Sequence, residues 1–319
     1  MATLIGIDVG GTNLRLGVVE FEANNSSDHP KLIEEMRFLA DFSNLCKSHQ
    51  QTPEQAWQKI LSTISTAINT VRDKYPEVSA VGIGFPGFID PNTQKILQSP
   101  NLPGLSDVDL TADLSRLIQL PVITENDALA AAYGEYATRS MLTKNLIYLG
   151  LGTGVGGGLV MSGQPVQGQH GVAMEVGHII VEPNGRLCGC GNHGCMEQYA
   201  SATAVSISYF ETSGQDCSAE EIESRANAGD QHALNAYALA GTKLAQALAH
   251  ILKVIDVSDV VIGGGMSAAW PLMSQSFQRQ LERDLIPALR GKTKVSISSM
   301  GDQAGIIGAA MLAHGNVSA

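Results

Sequence analysis

The chain has 319 residues, of which 44% are hydrophobic and 16% charged, and its formal net charge is −11 at pH 7. This length exceeds what one hydrophobic core usually supports, so we expect two domains. The acidic balance disfavours binding to the phosphate backbone of nucleic acids. No signal peptide is recognisable, and the apolar run Ala247–Ile255 contains His250 and Lys253 and is shorter than the roughly 18 residues of a membrane span. We therefore expect a cytoplasmic protein with no membrane or nucleic-acid partner.

The chain opens with two apolar runs, Leu4–Val9 and Leu14–Phe21, joined by the turn Gly10–Asn13. This pattern predicts a β-hairpin with glycine and small polar residues at its tip. Backbone N–H groups at such a tip can approach a phosphate closely, and the carboxylate of Asp8 can hold a magnesium ion. On the residues alone, an ordinary hairpin turn explains the tip equally well.

The elements that follow alternate between strands and helices. Strands are predicted at Lys31–Leu39, Ser79–Phe85, Leu120–Thr124, Ser258–Ile262 and Lys294–Ser298. Helices are predicted after Thr52-Pro53, at Ala128–Ala137 and Tyr199–Phe210, from the capping box at Ser218, at Gln231–Val254, from Trp270 and at Gln303–His314.

Polar residues follow the predicted strand that ends at Thr124. They are Glu125, Asn126 and Asp127, and ligands of α/β sheets bind at the carboxyl ends of strands. Helix capping alone would also explain Asp127. A further polar residue, Asn101, lies in a turn-rich segment, where a role in the turn is the simpler explanation.

A second strand–turn–strand segment, L-I-Y-L-G-L-G-T-G-V-G-G-G-L-V-M from Leu146, aligns without gaps with L-I-G-I-D-V-G-G-T-N-L-R-L-G-V-V from Leu4. Two copies of one strand–turn–strand motif predict a duplicated architecture in which the two hairpin tips face each other across a cleft. Gly152–Gly157 also fits the dinucleotide pattern G-x-G-x-x-G, which requires a helix after it. Because residues 158–163 are predicted as strand and turn, we reject a Rossmann site.

The segment Glu175–Glu197 contains three of the five cysteines of the chain, among many glycines. Its cysteine thiolates can bind a tetrahedral zinc ion, with His178 or His193 as the fourth ligand. A disulfide between Cys188 and Cys190 would close a strained, very small ring, so we prefer the metal. The residues alone leave the choice of histidine open.

Five motifs occur in one order: D-V-G-G-T-N at 8–13, E-N-D at 125–127, L-G-T-G-V-G-G-G at 151–158, E-V-G-H at 175–178 and C-G-C-G-N-H-G-C-M-E at 188–197. With them the whole chain resembles the ROK sugar kinases, a family named for repressor, open reading frame and kinase. The resemblance implies an α/β, actin/hexokinase-like (ribonuclease H-like) fold with two domains around a central cleft. We expect a smaller domain of residues 1–120 and 303–319, and a larger one of residues 121–302 with a zinc-binding loop at 178–195.

The resemblance also implies ATP, Mg²⁺ and a structural Zn²⁺, with Asp127 as the general base for the attacking sugar hydroxyl. It implies sugar contacts from Gly87, Asn101, Asn126, Asp127, Glu175, His178 and Glu197. It implies nucleotide and phosphate contacts from Asp8, Gly10, Gly11, Thr12, Asn13, Thr153, Gly154, Gly264 and Gly265. The implied zinc ligands are His178, Cys188, Cys190 and Cys195, with His193 as the alternative to His178.

The segment E-Q-Y-A-S-A after Met196 resembles the glucokinase branch of the family, so we expect phosphorylation of glucose at its 6-hydroxyl group. Other substrates implied by the family are N-acetylglucosamine, N-acetylmannosamine, fructose and allose, and polyphosphate is an alternative donor. The family also contains sugar-responsive repressors with an N-terminal DNA-binding extension. We disfavour that function because the first strand begins at once, and we expect a homodimeric enzyme.

Overall fold

The computed structural model describes residues 2–21, 30–139 and 144–317. The chain forms two compact units. The first comprises Met1–Lys144, Gly158–Ala173 and Asp302–Ala319, and the second comprises Asn145–Gly157 and Met174–Gly301. This division differs from the predicted boundary after residue 120, because the strand and helix that follow that residue pack within the first unit. The predicted domain boundaries stay a prediction.

The described residues form both strands and helices. The strands are β1 (Ala2–Val9), β2 (Asn13–Phe21), β3 (Pro30–Leu39), β4 (Ala80–Phe85), β5 (Phe88–Ile89), β6 (Ile96–Gln98), β7 (Ser106–Val108), β8 (Val122–Asn126), β9 (Leu146–Leu151), β10 (Val155–Met161), β11 (Gln164–Pro165), β12 (Asp259–Gly263) and β13 (Lys294–Ile297). The helices are α1 (Phe42–Ser48), α2 (Pro53–Lys74), α3 (Leu110–Ile118), α4 (Asp127–Thr138), α5 (Glu197–Ala200), α6 (Ala202–Ser213), α7 (Ala219–Asn227), α8 (Gln231–Ile255), α9 (Trp270–Asp284) and α10 (Gln303–Val317).

A five-stranded sheet in the order β3-β2-β1-β4-β8 lies at the centre of the first unit. β1 pairs antiparallel with β2 and parallel with β4, and β4 pairs parallel with β8. The middle strands are apolar and buried along almost their whole length, as expected for strands covered on both faces. The predicted opening hairpin is confirmed, with its tip between β1 and β2.

Helix α10 packs on β1, β4 and α4 through backbone contacts that depend on glycine. A Cβ atom added to Gly6 or Gly82 would overlap a carbonyl group of α10. Across the pair of helices, a Cβ atom on Gly134 of α4 or on Gly308 of α10 would overlap the opposite backbone in the same way. The backbones of α4 and α10 therefore touch, which fixes the helix that begins at Asp127.

Three short strands form a second, antiparallel sheet in the first unit, in the order β5-β6-β7. The sequence pattern predicts neither this sheet nor α1 and α3. Both helices begin after an aspartate whose carboxylate accepts a backbone N–H: Asp41 caps α1 and Asp109 caps α3. Short amphipathic elements of this kind depend more on such caps and on packing than on periodicity.

Another five-stranded sheet has the order β11-β10-β9-β12-β13, of which β9, β12, β13 and the start of β10 as far as Gly157 lie in the second unit. β12 pairs parallel with both β9 and β13. The strand–turn–strand device predicted from the repeat is confirmed as β9 and β10. Because β10 follows the glycine-rich turn where a Rossmann site needs a helix, the rejection of that site is also confirmed.

Helices α5 to α9 complete the second unit, and the capping box at Ser218 is confirmed at the start of α7. The predicted helix Tyr199–Phe210 is wrong in one respect, because the chain bends at Ser201, which ends α5 and caps α6 through its hydroxyl group. Among the described residues, α8 alone is long and apolar enough to cross a membrane. Of its apolar window, 56% is buried within the protein, as in the core helix of a globular domain.

Candidate functional site

The tip of the first hairpin, Gly10–Asn13, is ordered by backbone hydrogen bonds. The Gly10 N–H donates to the Asn13 carbonyl oxygen over 2.8 Å. The N–H groups of Ala40 and Ser43 donate to two further carbonyl oxygens of the tip, over 3.3 and 3.1 Å. The glycines therefore stand in a defined turn, which is what a phosphate-binding backbone requires.

Asp8 lies beside this tip and opposite Arg15 in the β1–β2 ladder. Arg15 Nη1 lies 3.5 Å from Asp8 Oδ2 and 2.7 Å from Oδ1 of Asp302, just before α10. The pKa of Asp8 is raised to about 7. Burial is the largest cause and the negative charge of Asp127 the second, whereas the positive charge of Arg15 lowers the pKa. The side chain of Asp8 is 22% exposed, so a cation can reach its carboxylate. Carboxylate oxygens are ligands that Mg²⁺ prefers.

The segment Glu125-Asn126-Asp127 turns from β8 into α4. The N-cap of α4 is Asn126, whose Oδ1 accepts the N–H of Leu129 over 3.0 Å and whose Nδ2 donates to the Gly87 carbonyl oxygen over 3.1 Å. Capping therefore does not account for Asp127, whose Oδ1 accepts the next N–H of the chain over 2.8 Å. Burial raises the pKa of Asp127, against the effect of that hydrogen bond. A raised pKa brings a carboxylate closer to the value of an efficient general base.

Glu125, the first residue of this segment, is only 3% exposed. Its two oxygens accept the Asn126 N–H, over 2.7 Å, and the side-chain amide of Gln167. The E-N-D motif contains Glu125, but the sequence predicts no role for this residue. Nothing in the sequence distinguishes Gln167 from other surface glutamines.

The remaining predicted sugar ligand of the first unit, Asn101, lies in the connection between β6 and β7, where it is exposed. The connection is tied to the Pro86-Gly87 turn, because the Ser99 hydroxyl group donates to the Pro86 carbonyl oxygen. A contact between Asn101 and a sugar stays a prediction.

The second hairpin tip, in the second unit, is held by the start of α6. The Ala202 N–H donates to the Gly152 carbonyl oxygen over 2.9 Å, and the Thr203 hydroxyl group donates to the Thr153 carbonyl oxygen over 2.9 Å. Beyond the tip, Glu197 Oε2 accepts the N–H of Val155 over 2.9 Å. Glu197, a predicted sugar ligand, is therefore hydrogen-bonded to the backbone of the hairpin that is predicted to bind phosphate.

Glu175 precedes a single 3-10 turn, Val176–His178, and His178 is the last residue of that turn. His178 Nε2 lies 3.8 Å from Glu175 Oε2. The turn packs closely on the second hairpin, since a Cβ atom on Gly177 would stand 2.5 Å from the Val155 carbonyl oxygen. The three predicted sugar ligands of this unit, Glu175, His178 and Glu197, therefore lie in one small region.

The same region contains a cluster of His178, Cys188, Cys190 and Cys195, whose potential ligand atoms all lie within 4.8 Å of one another. Cys188 Sγ is 3.7 Å from His178 Nδ1, and Cys190 Sγ is 3.6 Å from Cys195 Sγ. Zn–S bonds of about 2.3 Å in a tetrahedron place two sulfur atoms about 3.8 Å apart, so the cluster fits zinc. His193 is exposed and outside the cluster.

A second group of side chains holds the loop that carries these cysteines. The Arg186 guanidinium donates to the Gln198 carbonyl oxygen over 2.6 Å and to Ser208 Oγ over 3.0 Å. It also stacks on the ring of Tyr199, 4.8 Å from the centroid, and the Nζ atom of Lys243 lies 5.6 Å from the same centroid. We name Arg186, Tyr199 and Lys243 the loop clamp.

Gly264 and Gly265 follow β12. Gly264 has φ +79°, and its close approach to the Leu151 carbonyl group leaves no room for a side chain. A Cβ atom on Gly265 would meet no described atom within 4 Å. The backbone at Gly265 is thus open to a flat ring or a phosphate, and its contact with adenosine stays a prediction.

Comparisons with known proteins agree along the whole chain. The model of the ROK family matches residues 4–316. A glucokinase of Thermotoga maritima is 32% identical over 97% of this chain and 96% of its own length, and an N-acetyl-D-glucosamine kinase of Escherichia coli is 31% identical over 96% and 98%. The crystal structure of a ROK family glucokinase from Streptomyces griseus in complex with glucose and AMPPNP, 29% identical, superposes with a TM-score of 0.81 over 98% of this chain and 100% of that one. The predicted actin/hexokinase-like α/β fold is confirmed, and this chain belongs to the ROK family.

Proposed function

We propose that this protein is a kinase that transfers the γ-phosphoryl group of ATP to the 6-hydroxyl group of a hexose, with glucose as the preferred sugar. The observation that carries the proposal is Asp127, a carboxylate of raised pKa at the start of α4, near enough to Asp8 for their charges to interact. The relatives from Thermotoga maritima and Streptomyces griseus, both named glucokinases, support the choice of glucose.

In the proposed reaction Asp127 accepts the proton of the 6-hydroxyl group while the oxygen atom attacks the γ-phosphorus. The bond from the γ-phosphorus to the bridging oxygen breaks, and ADP leaves with the electron pair. Because phosphoryl-transfer transition states are usually loose, positioning contributes more than proton removal. General-base assistance typically supplies about 10²- to 10⁴-fold in rate.

The hairpin tips Gly10–Asn13 and Thr153-Gly154 supply backbone N–H groups to the phosphates, and Gly264 and Gly265 contact the adenosine. Asp8 would hold Mg²⁺, directly or through water, and a bound ion would supply positive charge beside the phosphates. The AMPPNP in the Streptomyces griseus relative supports ATP as the donor.

The residues proposed to bind the sugar hydroxyl groups are Gly87, Asn101, Asn126, Asp127, Glu175, His178 and Glu197. An N-acetylhexosamine is the second candidate substrate, because the Escherichia coli N-acetyl-D-glucosamine kinase is 31% identical to this chain, almost as similar as the glucokinase at 32%. Such sugars differ from glucose at one substituent, and cleft shape decides between them.

Zinc bound by His178, Cys188, Cys190 and Cys195 has a structural role in this proposal. These four residues would supply a full set of protein ligands, as in closed structural zinc sites. His178 would bind the ion through Nδ1, which lies 3.7 Å from Cys188 Sγ, and its Nε2, 3.8 Å from Glu175 Oε2, would face the sugar.

We further propose a cytoplasmic homodimer whose ligands are the sugar and ATP. Light scattering on the purified protein tests the dimer. A sugar-responsive repressor is the competing function within the family, and the net charge of −11 opposes a nucleic-acid partner. ADP release in the presence of glucose, compared with binding to promoter DNA, separates the two functions.

The decisive experiment is a coupled ADP-release assay with ATP or polyphosphate against a panel of hexoses and N-acetylhexosamines. We expect the highest kcat/KM with glucose and ATP. Asp127→Ala should remove most turnover while glucose still binds, and Asp73→Ala, an exposed carboxylate on α2, is the control. Normal kcat in Asp127→Ala would overturn the assignment of the base, and a parent protein inactive on every sugar would overturn the function.

A further inference from the structure

Glu125 is a buried carboxylate with two committed hydrogen-bond partners. It stands on β8, two residues before Asp127, and only 3% of its surface is exposed. One oxygen accepts the N–H of Asn126 over 2.7 Å, and the other accepts the side-chain Nε2 of Gln167. Because a buried carboxylate is costly unless its oxygens are hydrogen-bonded, the bond from Gln167 stabilises Glu125 in its buried position.

Gln167 is itself held by an ordered backbone. Its carbonyl oxygen accepts the N–H of Ala173 over 3.2 Å, and the N–H of Val166 donates to the Leu159 carbonyl oxygen over 2.9 Å. Farther along, Gly171 packs so closely on the carbonyl group of Ile89 that a Cβ atom would overlap it. The segment around Gln167 is therefore fixed to the first unit on both sides of this residue.

Each residue of the Glu125-Asn126-Asp127 corner is thus bonded to a different part of the first unit. Glu125 accepts a hydrogen bond from Gln167, Asn126 donates to the Gly87 carbonyl oxygen, and Asp127 accepts the N–H of Ala128, the second residue of α4. Any hydrogen-bond donor could stabilise the buried charge of Glu125. The carboxylate of Glu125, however, also accepts the backbone N–H of Asn126. A movement of Glu125 would therefore displace the backbone that carries Asn126 and Asp127.

We infer that Glu125 and Gln167 form a positioning pair, which holds the Asn126-Asp127 corner in the geometry needed for proton removal from the sugar. Neither residue touches the reacting atoms. This inference rests on the proposed function of Asp127. A displacement of about 1 Å at a catalytic group is enough to reduce a rate about 10²-fold, so loss of the pair should act mainly on kcat.

The test exchanges the two side chains. Gln167→Ala should lower kcat about 10-fold, and Gln167→Glu should lower it at least as much because two carboxylates would face each other. In the double variant Glu125→Gln/Gln167→Glu, the amide at position 125 can accept the Asn126 N–H and donate to the new carboxylate, so kcat should return to within about threefold of the parent value. The matched control is Gln169→Ala, an exposed glutamine of the same segment.

The affinity for ADP should change less than about threefold in Gln167→Ala, since a general loss of structure would weaken ADP binding as well as lower kcat. Restored kcat in the double variant supports the pair. A kcat of Gln167→Ala within twofold of the parent, or a double variant no better than Gln167→Glu, overturns it. If the parent phosphorylates no sugar, the proposed function fails, and amide exchange decides on the pair: faster exchange at residues 122–130 in Gln167→Ala supports it, and unchanged exchange overturns it.

Discussion

Glu197 Oε2 occupies the space in which a side chain on Gly154 would begin, since a Cβ atom there would lie 2.5 Å from this oxygen. The same oxygen accepts the Val155 N–H over 2.9 Å. Glu197, which we propose binds the sugar, therefore packs directly against the hairpin that we propose binds phosphate. A substitution at the tip of this hairpin should change the affinity for the sugar even when no nucleotide is bound.

Gly154→Ala is expected to weaken glucose binding about 10-fold in the absence of nucleotide. The new methyl group displaces the Glu197 carboxylate, which then loses the Val155 N–H, and a hydrogen bond to a charged group is worth about 1.5–3 kcal/mol. Calorimetric titration with glucose measures the effect. Gly152→Ala is the control, because a Cβ atom on Gly152 meets no described atom within 4 Å. Equal affinities for the two variants would contradict the coupling.

His178→Ala is expected to lower the zinc content of the purified protein, because Nδ1 of His178 lies 3.7 Å from Cys188 Sγ within the four-residue cluster. His193→Ala, which alters the exposed histidine, should leave the zinc content unchanged. Elemental analysis of both variants decides between the two histidines. Removal of zinc by a chelator should also weaken glucose binding, because the loop that carries Glu175 and His178 loses a cross-link. Full zinc content in His178→Ala would show that the ligand set is wrong.

Arg186→Ala is expected to destabilise the second unit by about 1–3 kcal/mol, because it leaves the Gln198 carbonyl group without its guanidinium partner and exposes the face of Tyr199. The loop clamp does not involve the proposed metal ligands, so it should hold part of the loop after zinc is removed. Chelation should therefore weaken glucose binding more in Arg186→Ala than in the parent. Arg283→Ala, with a side chain 70% exposed, is the matched control. If chelation weakened glucose binding equally in Arg186→Ala and in the parent, the loop clamp would not hold the loop independently of zinc.

The sequence predicts features that depend on neighbouring residues and misses those that depend on distant ones. Both hairpins and the cysteine cluster follow from glycine turns and ligand spacing, which are local. The bond between Gln167 and Glu125 joins residues 42 positions apart, and an isolated glutamine carries no periodic signal. The bend at Ser201 is hidden for a different reason: apolar residues continue through it, and only the contact of its hydroxyl group with the Ala204 N–H shows that a new helix begins there.

The free energy of unfolding of the metal-free protein should contain a pH-dependent contribution from Asp8. Its pKa is raised from 3.8 to about 7 in the folded state, so the folded protein binds a proton that the unfolded chain releases in this range. Stability from this group is therefore complete below pH 3.8 and is lost as the pH rises to about 7. A change of one pKa unit is worth about 1.4 kcal/mol, so the loss is of the order of a few kcal/mol.

Urea unfolding of the parent and of Asp8→Asn, without divalent cations, measures this contribution. The stability of Asp8→Asn relative to the parent should rise between about pH 4 and pH 7 and then level off, since asparagine does not titrate. Adding Mg²⁺ above pH 7 should stabilise the parent more than the variant, because the ion needs the carboxylate. Parallel stability curves for the two proteins would contradict the raised pKa.

The backbones of α4 and α10 meet at Gly308, so a substitution there should affect both stability and catalysis. A Cβ atom on Gly308 of α10 would overlap the carbonyl group of Ala130 in α4, and backbone cannot move aside as the end of a side chain can. Gly308→Ala should therefore separate the two helices, lower the free energy of unfolding by at least about 2 kcal/mol and, because α4 begins at Asp127, reduce kcat. In Gly315→Ala, on the same helix, the new Cβ meets no described atom within 4 Å, so stability should stay the same or rise by up to about 1 kcal/mol. Urea unfolding of both variants gives the comparison, and a Gly308→Ala protein as stable as Gly315→Ala would show that α4 and α10 do not touch in solution.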